Sequence, residues 1–361
     1  MRVLVNALPI RHGGGASFLN QQMSALARVA PELELRLLVS PWTEFDALPG
    51  NIETVPVRSV ATRFAFEQFR VPLRQADLLY CPANFSPLTF RGPIVLTLQN
   101  ANYYRAGLAL AETKTSRPIW KIKANHLAIR RADAVVAISH SCAADIVATL
   151  PAAKDKLHVI YSGAPEWPET SVAVEGLPDR YIVVVASDAP HKRVDDVVAS
   201  WVRSIALRAD APALVLVGGL SPSQVTRYRA MAAEHESRLI LLGQIRELAK
   251  LKWIYEHATA MVSMSVLESF GLTSVEAASV GCPLVLSDIP IHREVSSPRT
   301  QFVPPRDRTA LAKTLVSVYG LSPGSRPWQW PMTWDENATQ LYELFQSVAQ
   351  RRREERSAKR R

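Results

Sequence analysis

Residues 181–186, Tyr-Ile-Val-Val-Val-Ala, form an almost unbroken β-branched run, and shorter runs of the same kind recur along the 361 residues. A strand wetted on one face alternates apolar and polar side chains. A run without alternation suits a parallel sheet covered on both faces. Parallel neighbours need a crossover, usually a helix, and the chain supplies one repeatedly. Residues 2–7 lead through a glycine loop into a helix over about 18–29. Residues 134–139 lead into a helix capped by Ser139 or Ser141. Residues 181–186, 239–242 and 259–264 precede helices over 194–207, over 248–257 and just after Gly271. Further strands are read at 33–40, 51–57, 78–80, 94–98, 157–161, 213–217 and 284–287. The class is therefore α/β. A Pro/Glu-rich connector over 165–178 divides two such series, and the length suits two domains with a core each.

The stretch 265–276, Ser-Val-Leu-Glu-Ser-Phe-Gly-Leu-Thr-Ser-Val-Glu, places Glu268 in a loop after one strand and Glu276 on the helix that follows. Gly281-Cys282-Pro283 stops that helix. A helix start has free N–H groups and partial positive charge, which suits an anion or a polar sugar. Carboxylates accept pairs of hydroxyl hydrogen bonds, and charge-assisted bonds are the strong ones. A solvated loop before an amphipathic helix can show a bare Glu pair by chance; the full string is much rarer. Near the N-terminus, Gly13-Gly14-Gly15 stands between a strand and a helix. That is a phosphate cradle in outline, or else a surface loop, and it is not the dinucleotide fingerprint Gly-x-Gly-x-x-Gly. Pro190-His191-Lys192 puts a cation at a strand's C-terminal end, where open α/β sheets bind ligands.

Glu268 and Glu276 at this spacing, with Phe270-Gly271 between them, resemble the signature of retaining glycosyltransferases of family 4; Pro190-His191-Lys192 with Gln99-Asn100 resembles bacterial polysaccharide mannosyltransferases in particular. The resemblance covers nearly the whole chain and is strongest over 181–338. It implies the GT-B fold: two Rossmann-like domains whose parallel sheets face across a deep cleft, with a C-terminal helix returning to the first domain. Its domains would be 1–164 for the acceptor, 165–332 for the nucleotide sugar, a closing helix over 333–350 and a basic disordered tail over 351–361. It implies that Glu268 holds the donor sugar, Glu276 the ribose and Lys192 the diphosphate. Gly14, Gly15, Phe270, Gly271, Leu272 and Thr273 would line the donor, and Gln244 and Ile245 the base. Many members carry Arg where Ser187 stands; Arg193 is the candidate to stand in. Many carry His where Gln99 stands, next to Asn100. Gln can bond a sugar hydroxyl but cannot titrate, so Gln99 and Asn100 are held as sugar or acceptor contacts and no base is assigned.

The implied reaction moves a sugar from a nucleotide diphosphate sugar, with GDP-mannose the first guess, to a glycan or lipid-linked glycan, as in polysaccharide or lipopolysaccharide biosynthesis. No Asp-x-Asp, His-Glu-x-x-His or Cys/His cluster stands ready for a metal. No cofactor is therefore expected beyond the donor. Nucleic acid is not an expected partner, because no binding motif occurs. Residues 351–361 hold seven basic and two acidic residues, a net +5 of the chain's +9. Residues 116–131 carry Arg117, Lys121, Lys123, Arg130 and Arg131 and no acid. Its stripe of Trp120, Ala124, Leu127 and Ala128 is expected to pack on the core. The alternative is a basic patch on anionic lipid, to which Phe64, Phe66 and Phe69 could contribute. Three separated cysteines, no span of apolar residues near ~18 and no signal peptide suggest a cytoplasmic protein, peripheral on the inner membrane face. A non-catalytic nucleotide-sugar binder or an epimerase of the same fold remains the alternative.

Overall fold

The computed structural model describes residues 1–358 apart from 12, 44, 46, 47, 100–118, 323, 325 and 326. The described residues divide into two compact units. One runs to Gly163 and resumes at Met332; the other is Ala164–Pro331.

In the first unit, seven parallel strands lie in the order β3-β2-β1-β4-β5-β6-β7 among the described residues. They are β1 (Arg2–Asn6), β2 (Glu34–Val39), β3 (Asn51–Thr54), β4 (Leu78–Cys81), β5 (Ile94–Leu98), β6 (Ala134–Ala137) and β7 (Leu157–Val159). Chain order runs outward from β1 to β3 on one side, then resumes at β4 on the other. The strands β4, β5 and β6 are buried along their whole length, as runs without alternation require.

The helices are α1 (Gly14–Val29), α2 (Val60–Phe69), α3 (Ile119–Arg131), α4 (His140–Thr149) and, at the far end of the chain, α11 (Trp334–Ala358). Helix α1 begins four residues earlier than expected, because Gly13 adopts φ 67° and serves as its N-cap. Helix α2 was legible only as an apolar and basic stretch; Ser59 and Thr62 start it with a reciprocal capping box. Helix α4 is capped by Ser139, whose hydroxyl accepts from Cys142 N at 2.9 Å.

Helix α11 packs on α1 through a buried polar chain. Tyr80 donates to Gln22 at 2.6 Å, Gln22 to Asn337 at 2.9 Å, and Asn337 to the Tyr161 carbonyl at 2.6 Å. Phe345 tilts onto Tyr80 at 5.2 Å, and Trp334 meets Phe18 edge-on at 5.3 Å. Gly163 admits this packing, since a Cβ there would collide with the Trp334 backbone. The stretch 351–358, expected as disordered tail, is helical instead. Buried Leu344, Phe345 and Val348 anchor the preceding turns. Arg352 then reaches Asp133 at 2.6 Å and Glu355 at 3.1 Å, so the helix has partners to continue against.

In the second unit, six parallel strands take the order β10-β9-β8-β11-β12-β13. They are β8 (Tyr181–Val185), β9 (Ala213–Val217), β10 (Leu239–Gly243), β11 (Ala260–Ser263), β12 (Leu284–Ser287) and β13 (Gln301–Val303). The helices are α5 (Val194–Leu207), α6 (Pro222–Ala232), α7 (Leu248–His257), α8 (Leu272–Ser279), α9 (Pro290–Val295) and α10 (Arg308–Val318). Helices α5 and α7 have the expected bounds. Strand β8 sends Ile182 and Val184 into one core and Tyr181 and Val183 into the other. Each such fully buried side chain contributes ~1.5–3 kcal/mol. The three cysteines are buried and free.

Candidate active site

Strand order reverses between β8 and β11, because the chain builds β9 and β10 on one side before starting again on the other. Loops leaving the carboxyl ends of such neighbours diverge and open a crevice. The loop after β8 carries Lys192, and the loop after β11 carries Glu268. The structure brings these two together: Lys192 Nζ donates to Glu268 Oε1 at 2.6 Å. Their side chains are 23% and 13% exposed, so the pair is partly desolvated yet reachable. Two further bonds hold the loops. Val266 N donates to the His191 carbonyl at 2.9 Å, and the Ser287 hydroxyl at the end of β12 donates to the Ser265 carbonyl.

Burial alone would raise the Glu268 pKa. Lys192 outweighs it, with help from His292 and His191, and holds the carboxyl below its ordinary value. Glu268 is therefore a carboxylate at neutral pH, an acceptor of hydroxyl hydrogen bonds.

Gly271 is the N-cap of α8 at φ 89°, a backbone conformation that strains any side chain. The N–H groups of Leu272 and Thr273 have no hydrogen-bond partner among the described residues. Free N–H groups at a helix start suit an anion. Phe270 is buried edge-on against Trp330 at 5.5 Å, so its side chain shapes the turn. Glu276 lies one turn further along α8, on the face of Leu272 and Thr273. Its Oε2 accepts from the Tyr255 hydroxyl at 3.2 Å. Burial pushes the Glu276 carboxyl up to about 7, with the Tyr255 bond pulling the other way. Burial likewise raises Tyr255 well above its ordinary value, so it stays a phenol and donates.

The other expected donor contacts are placed differently. Ser187 is exposed just beyond β8. Arg193 does not supply the cation missing there. Its Nε turns onto Asp196 at 2.7 Å, and Arg308 takes the other oxygen of that buried carboxylate at 2.7 Å. An aspartate so deeply buried holds its cations firmly. Gln244 is exposed after β10, and Ile245 packs partly into the core.

In the first unit, Gly14 and Gly15 open α1 just beyond β1, next to that sheet's own reversal between β1 and β4. Their N–H groups carry no hydrogen bond among the described residues. A Cβ on Gly15 would stand 3.7 Å from Gln99 Oε1. Gln99 Nε2 donates to the Pro82 carbonyl at 2.5 Å, and Gln99 N donates to Asn84 Oδ1 at 3.0 Å. Since Pro82 offers only an acceptor, the amide orientation is settled and Oε1 faces Gly15. Asn100 lies outside the described residues.

Two residues that sequence reasoning missed border the site. Tyr255 precedes Glu276 by 21 positions, a spacing without meaning in sequence. His292 is buried, and its ring lies 3.8 Å from the Cβ position of Gly271. Its Nδ1 is 2.9 Å from the Ser287 carbonyl, so Nδ1 carries the proton. Burial lowers the His292 pKa against the pull of Glu268, favouring the neutral ring. No group of three or more His, Cys, Asp or Glu gathers among the described residues.

Residues 179–320 match the model of the glycosyl transferases group 1. The fold is GT-B. With 142 of its 361 residues inside that match, the chain carries a group 1 glycosyltransferase domain. It is distantly homologous to the O-antigen chain mannosyltransferase RfbU of Salmonella typhimurium, 22% identical over 193 residues, which are 53% of this chain and 52% of that one. It is 25% identical over 172 residues to the lipopolysaccharide core biosynthesis mannosyltransferase LpcC of Rhizobium leguminosarum, 46% of this chain and 48% of that one. The chain thus spans about half the length of these curated relatives. Sucrose-phosphate synthase from Thermosynechococcus elongatus has the same fold, with TM-score 0.71, 17% identity and coverage of 96% and 99% of the two chains. So does Anabaena HepE, solved with UDP and glucose, with TM-score 0.67, 16% identity and coverage of 99% and 100%. The group 1 match encloses Lys192, Glu268 and Glu276 together.

Proposed function

We propose that this chain moves a sugar from a nucleotide diphosphate sugar to a hydroxyl of a glycan or lipid-linked glycan, retaining the anomeric configuration and using no metal. The observation that carries the reading is the Lys192–Glu268 contact at the strand reversal of the second sheet. The bond from the anomeric carbon to the leaving phosphate oxygen breaks, and charge builds on the diphosphate. Lys192 and the free N–H groups at the start of α8 meet that charge. One close cation–phosphate pair is worth ~4 kcal/mol at an effective dielectric near 20, a scale suited to preorganised electrostatic catalysis.

Lys192 leaves Glu268 in part to do this, and Glu268 turns to the hydroxyls of the donor sugar. Glu276 takes the ribose hydroxyls, with Tyr255 holding its other oxygen. Attack on the face of departure lets the diphosphate oxygen accept the proton of the acceptor, so no side-chain base is needed. Gln99, an oriented acceptor, is assigned a sugar or acceptor hydroxyl, and the N–H groups of Gly14 and Gly15 the donor phosphates.

GDP-mannose is the first donor to try, because two relatives carry the name mannosyltransferase; HepE with UDP and glucose makes UDP-glucose the second. Lipopolysaccharide assembly is the matching setting, with the chain cytoplasmic and peripheral on the inner face of the membrane. Among the described residues no helix is long and apolar enough to cross one. A second reading, a nucleotide-sugar binder without turnover, draws on Lys192 being closed on Glu268. Purified protein is incubated with each donor, and the anomer of any product is read by NMR. Retained transfer or hydrolysis supports the enzyme; tight donor binding with neither supports the binder.

A further inference from the structure

Among the described residues, eleven large apolar side chains are exposed, and six of them lie on α2, the turn after it and α3. Phe69 and Leu73 are 71% and 72% exposed, Ile119 68% and Trp120 50%. The other five lie one to a segment elsewhere. The expected packing of α3 holds only in part: Ala128 faces the core together with Asn125 and Ile129, while Trp120 and Leu127 face outward. Trp120, Lys123, Leu127 and Arg130 recur at steps of three and four and are all exposed, which puts them on one helical stripe. Phe64 of α2 meets Trp120 edge-on at 6.4 Å, so the two helices present one surface.

The charge on this surface has one sign. Residues 58–75 and 119–131 contain a single carboxylate, Glu67. It is buried and accepts from Asn6 at 3.1 Å. Arg58, Arg70, Lys123 and Arg130 are exposed, while Arg74 is neutralised by Glu53.

We infer that the face of α2 and α3 docks on an anionic lipid surface. This rests on the membrane-surface part of the proposed function and not on its transfer chemistry. A protein partner would have to bring acids and an apolar patch in matching register. A bilayer with anionic headgroups supplies both over any area, the headgroups for the cations and the acyl boundary for Trp, Phe and Leu. The edge-on Trp120–Phe64 pair sits among cations, as interfacial aromatic side chains do.

The full chain is mixed with vesicles containing phosphatidylglycerol and, separately, with vesicles of phosphatidylcholine alone. It is expected to sediment with the first and not the second, to be released by salt, and to show a blue shift of tryptophan fluorescence on binding. Lys123→Glu with Arg130→Glu should weaken partitioning roughly tenfold or more, since each surface cation contributes about fivefold. Trp120→Ala with Leu127→Ala should weaken it while the melting temperature holds. Equal binding to both vesicles, or to neither at low salt, overturns the inference. Self-association without lipid that the same variants abolish also overturns it, because the occupant would then be a second copy of the chain. Donor binding is measured alongside and should not change in these variants. If lipid binding persists but no nucleotide sugar binds, the transfer chemistry alone fails.

Discussion

The two sheets reverse strand order in the same way, but what stands at the two reversals differs in kind. At β8 and β11 there are charges: a lysine closed on a carboxylate, and a second carboxylate on the following helix. At β1 and β4 there are bare N–H groups, glycines and the amide of Gln99. Equivalent topology therefore offers two kinds of chemistry. Charge can stabilise a leaving diphosphate, whereas neutral donors and acceptors can position a hydroxyl or cradle an anion without titrating.

The largest effects should come from the charged side. Lys192→Ala and Glu268→Ala should each lower turnover about 10²–10³-fold, the scale of removing one preorganised electrostatic contact, with circular dichroism unchanged. The double variant should lose much less than the product of the two, because the residues act as a pair. Full activity in either single variant would sink the assignment.

Glu276 sharpens the comparison through pH. Its native pKa of about 7 lies above the ordinary carboxylate value, so the folded state binds this proton more tightly than the unfolded chain does. The contribution to stability is fully present below about pH 4.5 and is lost as pH rises through 7, up to ~3 kcal/mol. Glu268, held low by Lys192, acts in the opposite sense: its contribution is lost as pH falls below the ordinary carboxylate range. Melting temperatures from pH 5 to 8 should therefore fall more for the native chain than for Glu276→Gln. Donor binding should strengthen through pH 7 in the native chain and stay flat in that variant.

On the neutral side the losses should be smaller. Gln99→Ala should reduce turnover roughly tenfold, about the value of one neutral hydrogen bond, without a pH signature. The glycines give the smallest contrast. Gly271→Ala forces a side chain into φ 89° and brings a Cβ to 3.2 Å from Ser274 Oγ, costing about 1–2 kcal/mol in unfolding experiments. Gly15→Ala meets only ordinary contacts, at 3.7 and 3.8 Å, and should change stability by less than ~1 kcal/mol. Equal costs at the two positions would remove this distinction between the two helix starts.

Much of this was legible beforehand where the signal is local. Strand runs, the bounds of α5 and α7, and the turn at Gly271 follow from periodicity and punctuation within a few residues. Helix α2 was missed because its start depends on a Ser59–Thr62 box that lacks the usual acid or amide. The helical stretch 351–358 was missed because polar composition reads as disorder until Asp133 and a packed α11 give it partners. Arg193 looked like a free cation because Asp196, three residues on, reads as a solvated helix residue. Arg308, 112 positions away, completes that buried cluster.

The residue order by itself determined a parallel α/β architecture, since apolar period and turn chemistry act over a handful of neighbours; resemblance to a family singled out Lys192, Glu268 and Glu276. Which groups actually meet was decided by tertiary structure alone: Lys192 on Glu268, Tyr255 on Glu276, His292 behind Gly271, and Trp120 outward beside Phe64. Hydrogen bonds and exposure depend on atoms that only the folding of distant segments brings within a few ångströms, and no spacing along the chain encodes that distance.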